Sequence, residues 1–125
     1  MKLVKVERQG DFRKLNFFLE KAKEAFNIGI LNKYGRAGVR ALSEATPEDS
    51  GKTAESWSYD IIRTRNSITL VWKNDNIVDG ANIALLLQYG HATKSGTWVE
   101  GIDYINPALK PIFEQMKNDI LKELK

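Results

Sequence analysis

"WSYDIIRTRNSITLVWKN", residues 57–74, decides how this chain is read. Residues 57–65 and 67–74 alternate apolar and polar side chains, are rich in β-branched and aromatic types, and flank Asn66-Ser67, a short turn connection. Trp57, Tyr59 and Ile61 share one face of the first segment; Ile68, Leu70 and Trp72 share one face of the second. A period of two on both sides of a short turn predicts an antiparallel hairpin with one face toward a core. Trp57 and Trp72 are then expected in the core or half-buried on the sheet.

Toward the N-terminus, "KLVKVER" (2–8) alternates well enough for a short strand, which Gly10 breaks. Asp11 is the expected N-cap of a helix over 11–26, because Phe12, Leu15, Phe18, Leu19, Ala22 and Phe26 recur at three- and four-residue spacing. A second helix is predicted over 28–46, with Leu31, Tyr34, Gly38, Ala41, Leu42 and Ala45 on one face. Gly35 and Gly38 each cost a helix about 1 kcal/mol relative to alanine, so close packing against a neighbour is the expected reason for them. Pro47 ends this helix, and "TPEDSGKTAESW" (46–57) carries the turn chemistry of Pro47, Asp49, Ser50 and Gly51.

Toward the C-terminus, "DNIVDGAN" (75–82) reads as a polar loop and "IALLLQYG" (83–90) as a short helix, since leucine and alanine outweigh β-branched residues there. Residues 90–101 read as a long Gly-rich loop in which "TWVEG" forms a brief strand. Asn106-Pro107 is a helix start, with Asn106 as N-cap and Pro107 first in the helix. Leu109, Ile112, Phe113, Met116, Ile120 and Leu124 then make its apolar stripe. The sum is a single α+β domain over 1–125: three to four short antiparallel strands packed against two to three amphipathic helices.

Bulk properties narrow the function. The 125 residues are 42% hydrophobic and 28% charged, ordinary for a globular chain. No apolar run approaches the roughly 20 residues of a membrane-spanning helix, and "MKLVKVERQG" lacks the apolar centre of a signal peptide, so an intracellular origin is expected. The absence of cysteine removes disulfides, thiolate catalysis and the common structural zinc sites. A net charge of +3 permits contact with nucleic acid without arguing for it.

His91 is the sole histidine. Thr93, Ser95, Glu100 and Asp103 lie near it in sequence, but in a loop with no rigid element to hold catalytic geometry, and a metal site would need to be built almost wholly from carboxylates. Glu48, Asp49, Glu100 and Asp103 read as turn acceptors or solvated groups rather than a catalytic pair. "GHATKSG" (90–96) lacks the Walker spacing. No catalytic residue, cofactor or metal is therefore expected. Lys33, Arg36 and Arg40 share a helix face, and Arg63 and Arg65 a strand face; these are the candidates for DNA contact, although most such stripes are solvated surfaces. Trp98, between glycines, is the best single candidate for a partner contact.

"TPEDSGKTAESW" is similar to the "A-P-x-D-T-G-x-L-x-x-S" signature of the neck proteins of long-tailed bacteriophages and prophages, a family of tail-completion and head-to-tail joining proteins. "NIALLLQYGHATKSGTWVEG" and "DYINPAL" resemble its second signature: a "Y-A-x-x-x-x-x-G" segment, a variable Gly-rich loop, then "PF-x-x-PA" opening a terminal helix. The resemblance runs in order along the whole chain. Ser50 stands where threonine is usual, Thr53 where leucine is usual, and "DY" replaces "PF".

The resemblance implies a non-enzymatic virion protein, assembled as a ring, usually sixfold, between the portal and adaptor complex and the tail tube or tail terminator. It implies virion localisation at the neck, with the host cytoplasm as the place of assembly, no membrane partner, and at most non-specific contact with phage DNA. On this reading residues 75–82 and 90–101 are mobile loops that order on docking. Trp98, His91, Lys94, Val99, Glu100 and Tyr104 are the docking residues, and Gly90, Gly96 and Gly101 give the loop reach. The alternative is a small nucleic-acid-binding module using the basic helix face.

Overall fold

In the computed structural model, which describes residues 4–9, 12–17, 24–47, 51–65 and 68–123, the hairpin at 57–74 forms as its alternation requires. Taking the strands and helices in chain order, β3 (Trp57–Arg63) and β4 (Ile68–Asn74) are antiparallel, with Tyr59 opposite Trp72 and Ile61 opposite Leu70. Ile68, Leu70 and Trp72 are buried on the core face, and Trp57 is buried with them. Asn66 and Ser67 lie outside the described residues.

The N-terminal segment departs from the helix expected over 11–26. Residues Val4–Gln9 (β1) and Phe12–Phe17 (β2) form an antiparallel pair, and β2 also pairs with β4, so that the sheet order is β1-β2-β4-β3. "FRKLNF" fits two periods, and Leu15 and Phe17 stand opposite Leu70 and Ile68 in the register. Without β2, the strand at the centre of the core would leave one row of backbone donors and acceptors unpaired. Satisfying that row outweighs a local preference for helix. The N-cap expected at Asp11 and the positions Phe18, Leu19 and Ala22 lie outside the described residues; Phe26 falls within the next helix.

That helix, α1 (Glu24–Ala45), lies across β3 and β4. Leu31, Tyr34, Gly38 and Leu42 are buried on its inner face, Ala41 is half-buried and Ala45 exposed. A Cβ on Gly35 would come under 3.0 Å from the Tyr59 ring, and one on Gly38 under 3.0 Å from the Trp72 indole. The glycines therefore admit two aromatic rings directly onto the helix backbone, and Trp72 Nε1 donates to the Gly35 carbonyl at 3.0 Å. Tyr59 Oη donates to Asn32 Oδ1 at 2.8 Å, and Trp57 Nε1 to Thr46 Oγ1 at 2.9 Å, fixing both ends of the contact.

Where turn chemistry was expected, residues Gly51–Glu55 form a single helical turn, α2. Its Thr53 is buried: the Thr53 carbonyl accepts from Asn74 Nδ2 at 2.8 Å, and Thr53 Oγ1 accepts from Asn76 Nδ2 at 2.7 Å. Leucine at this position would strand the Asn76 amide in the interior, so the threonine of this chain is matched to Asn76. Beyond Asn76, the expected polar loop contains a small hairpin of β5 (Ile77–Val78) and β6 (Ala81–Asn82). Asp79 and Gly80 both have positive φ, 51° and 79°, the type I′ turn geometry that an Asp-Gly pair favours.

The chain continues through α3 (Ile83–Tyr89), the pair β7 (His91–Ala92) and β8 (Trp98–Val99), and α4 (Ile105–Glu123). α4 packs along α1 and closes the core with Leu109 and Met116, while Phe113 meets the Trp72 ring at a centroid distance of 5.7 Å. Tyr34 Oη donates to the Asp119 carboxylate, tying the two helices together. Pro111 sits inside α4 and supplies no N–H to the preceding turn, a loss that solvent covers because Pro107 and Pro111 are both exposed. Ile120 and Leu124 lie beyond the described side chains.

Candidate docking surface

The segment from Tyr89 to Ile102 is built upon the end of α3. Gly90 closes that helix with φ 85° and donates its N–H to the Leu86 carbonyl at 2.9 Å. The chain then turns back through β7 and β8, with His91 opposite Val99 and Ala92 opposite Trp98. Ile102 N–H returns to the Leu87 carbonyl at 2.9 Å, so the hairpin is clamped at its base on the helix it left. A Cβ at Gly90 would meet the Val99 carbonyl and the Trp98 ring, and one at Gly101 would meet the Gln88 carbonyl, all under 3.0 Å. These two glycines serve close approach at the base rather than the reach expected of them. Gly96, with φ 87°, shapes the tip.

The tip is braced by its own polar groups. Thr93 N–H donates to the Thr97 carbonyl at 2.8 Å, Thr97 N–H to Thr93 Oγ1 at 3.2 Å, and Gly96 N–H to the Thr93 carbonyl at 3.0 Å. Residues expected to form a mobile loop thus form a hydrogen-bonded hairpin.

Gln88 is the hinge pin of this construction. It is buried, its Oε1 accepts from the N–H groups of both Tyr104 and Ile105 at 3.0 Å, and its Nε2 donates to Asp103 Oδ1 at 2.7 Å. The first turn of α4 is therefore capped by a side chain from α3. Asn106, expected as N-cap, lies inside the first turn and donates to Asp103 Oδ1 at 2.9 Å. The helix starts one residue earlier than its Asn-Pro signal because a distant acceptor serves its orphan N–H groups better.

On this braced frame four large apolar side chains face solvent: Tyr89 at 47% exposure, Trp98 at 56%, Val99 at 42% and Ile102 at 60%. Trp98 and Val99 are successive residues of β8 and Tyr89 and Ile102 lie at the base of the hairpin, so these exposed apolar side chains are the candidates for a partner contact. Lys94 and Glu100 are exposed on the same hairpin, and His91 is half-buried at its base. Tyr104 does not belong to this surface: it is buried, its Oη donates to the Ala84 carbonyl at 2.8 Å, and burial pushes its phenol well above the usual tyrosine range. Its role is to anchor the segment to the core, together with Ile105 and Leu109.

The groups near His91 do not form a reaction centre. Thr93 and Ser95 hydrogen-bond each other at 3.0 Å in the tip, and Asp103 is engaged by Gln88 and Asn106. His91 Nδ1 is buried without a partner, and no cluster of potential metal ligands occurs among the described residues. Glu48 and Asp49 lie outside them.

The basic residues are dispersed. Lys33 sits 3.8 Å from Asp119 and 5.1 Å from the centre of the Tyr34 ring, whereas Arg36 and Arg40 are exposed on α1. Arg63 and Arg65 are exposed at the far end of β3. No helix among the described residues is long and apolar enough to cross a membrane.

Fold and surface together define an α+β protein that presents an apolar hairpin on a rigid base. No family model, curated protein or solved structure matches the chain.

Tyr89, Ile102 and Gln88 escape a reading of the sequence. Tyr89 and Ile102 flank the hairpin at the two ends that Gly90 and Gly101 bring together. The repeated pattern of an apolar residue beside a glycine, Tyr89-Gly90 and Gly101-Ile102, is the signal that could have found them.

Proposed function

We propose that the chain is a structural component of the neck of a tailed bacteriophage or prophage, joining tail to head during assembly. The observation that carries this reading is the exposed set Tyr89, Trp98, Val99 and Ile102 on a hairpin held by backbone hydrogen bonds. A surface of this kind binds by burying apolar area and asks nothing of chemistry at His91. The ordered resemblance of "TPEDSGKTAESW" and "NIALLLQYGHATKSGTWVEG…DYINPAL" to the neck-protein signatures supports this choice of assembly. On this reading copies of the chain form a ring, usually sixfold, that meets the portal and adaptor proteins on one side and the tail tube or terminator on the other.

A nucleic-acid-binding role is the second reading, and Arg36 and Arg40, which have no ion pair among the described residues, favour it. The Asp119 carboxylate beside Lys33 weakens that stripe by one cation. Binding of this kind would fall steeply with added salt through counterion release.

The deciding experiment incubates purified protein with tails lacking it, sediments them and images the pellet by negative stain. Saturable binding at one tail end as a cap or ring is expected. Trp98→Ala should keep its circular dichroism spectrum and lose binding; an unfolded Trp98→Ala would remove Trp98 from the surface. Failure of the unaltered protein to bind either tails or portal complexes would end the neck reading.

A further inference from the structure

A different face of the molecule has the form of a peptide-binding groove. β3 is an edge strand of the four-stranded sheet, and among the described residues no further strand pairs with it on the side away from β4, so the backbone N–H and C=O groups of Trp57–Ile62 on that side are open to an added strand. Alongside this edge runs α1, and between the two lies a cleft of about 310 Å³ lined by Arg36, Val39, Ser58 and Tyr59. An open strand edge flanked by a helix is the geometry in which an extended peptide adds as a further strand. Its main chain continues the ladder, and its alternate side chains fall against the helix.

The side chains of the groove specify the occupant. Val39 and Tyr59 offer apolar contact, and Tyr59 is held in place by Asn32. Arg36 supplies a cation with no ion-pair partner among the described residues, and Arg40, one helical turn further, is exposed on the same side. The nearest acid on β3, Asp60, is already paired with Lys73 at 2.8 Å, so it neither neutralises the arginines nor repels an incoming carboxylate strongly. β3 is seven residues long, contains no proline, and leaves Ile62 49% exposed, so its exposed Asp60 and Arg63 are the charges that guard this edge.

We infer that the groove between β3 and α1 binds an extended acidic segment of another polypeptide, which adds as a fifth strand along Trp57–Arg63 with a carboxylate on Arg36. This interaction is separate from the hairpin at 89–102 and does not depend on the neck reading.

The test uses a short end-blocked peptide of alternating valine and aspartate, with a valine–lysine counterpart, titrated into the 15N-labelled protein. Amide shifts confined to β3 and to the Arg36–Val39 turn are expected for the aspartate peptide alone. Arg36→Glu, an exposed change that should leave the melting temperature intact, is expected to weaken binding at least about tenfold. N-methylation of alternate peptide nitrogens should abolish it by removing ladder hydrogen bonds. Absence of binding, equal binding of the lysine peptide, or shifts elsewhere on the surface would overturn the proposal. So would a concentration-dependent dimer abolished by Ile62→Lys, since the groove would then belong to a second copy of the chain.

Discussion

Two glycines set the closest packing in the molecule. Gly38 is where the Trp72 indole rests on α1, and a methyl group there has nowhere to go: its neighbour is a wide, buried ring already committed to the Gly35 carbonyl. Gly38→Ala gains roughly 1 kcal/mol of helix propensity but must push the indole out of its slot, and overpacking of this kind costs about 1–3 kcal/mol. The expected net result is a loss of up to about 2 kcal/mol, read as a lower denaturant midpoint at unchanged slope. The same substitution at Gly29, which has nothing within 4 Å of the added carbon, should stabilise instead. If both variants behaved alike, backbone propensity rather than the aromatic contact would govern these positions.

Among the elements, the start of α4 is held by Gln88. Replacing this side chain with leucine of similar volume would leave the Tyr104 and Ile105 N–H groups without their acceptor, while Asp103 keeps its contact with Asn106. Each buried group stranded in this way costs about 1–3 kcal/mol. Gln88→Leu is expected to destabilise the protein by about 2–4 kcal/mol and to speed amide exchange at Ile105 and Ile102 more than in β4. Uniform acceleration across the chain would instead mean that Gln88 supports only global stability.

This element also shows where sequence reading stops. The β3–β4 hairpin, the body of α1 and the stripe of α4 follow from periodicity, and α3 from its leucine and alanine content, because each is determined by its own residues. β2 does not, since "FRKLNF" takes its structure from β4 far along the chain. The cap of α4 was misread for the same reason: its local Asn-Pro signal competes with an acceptor sixteen or seventeen positions upstream, depending on the N–H served. Of the residues expected to dock a partner, Trp98 and Val99 are exposed and Tyr104 is core, and the exposed Tyr89 and Ile102 at the base of the hairpin were not among them.

Across the whole molecule, the sheet joins the N-terminal strands β1 and β2 to the central hairpin β3–β4. β4 is paired on both sides, and Val71 on its outer face is buried as well as the core-facing Ile68, Leu70 and Trp72. Removing residues 1–17 would turn this central strand into a long apolar edge. The shortened chain is expected to scatter light and lose its cooperative thermal transition, while deletion of residues 92–97 at the hairpin tip should leave that transition in place. A truncated chain that stayed monodisperse and melted cooperatively would show that β1 and β2 are dispensable to the fold.

The β2–β4 register has a consequence in time. Residues 13–17 can find residues 68–72 only by closing a long stretch of chain, and most of the reward for closure arrives after the entropy has been spent. β3, β4 and α1 lie nearer one another in sequence and share the Trp72 and Tyr59 contacts, so they can assemble first and offer a finished edge as a template. The β1–β2 segment, made before the strand it joins, is thus among the last parts to find its place. Until it arrives, the vacant side of β4 is the moment of greatest exposure in the life of the chain.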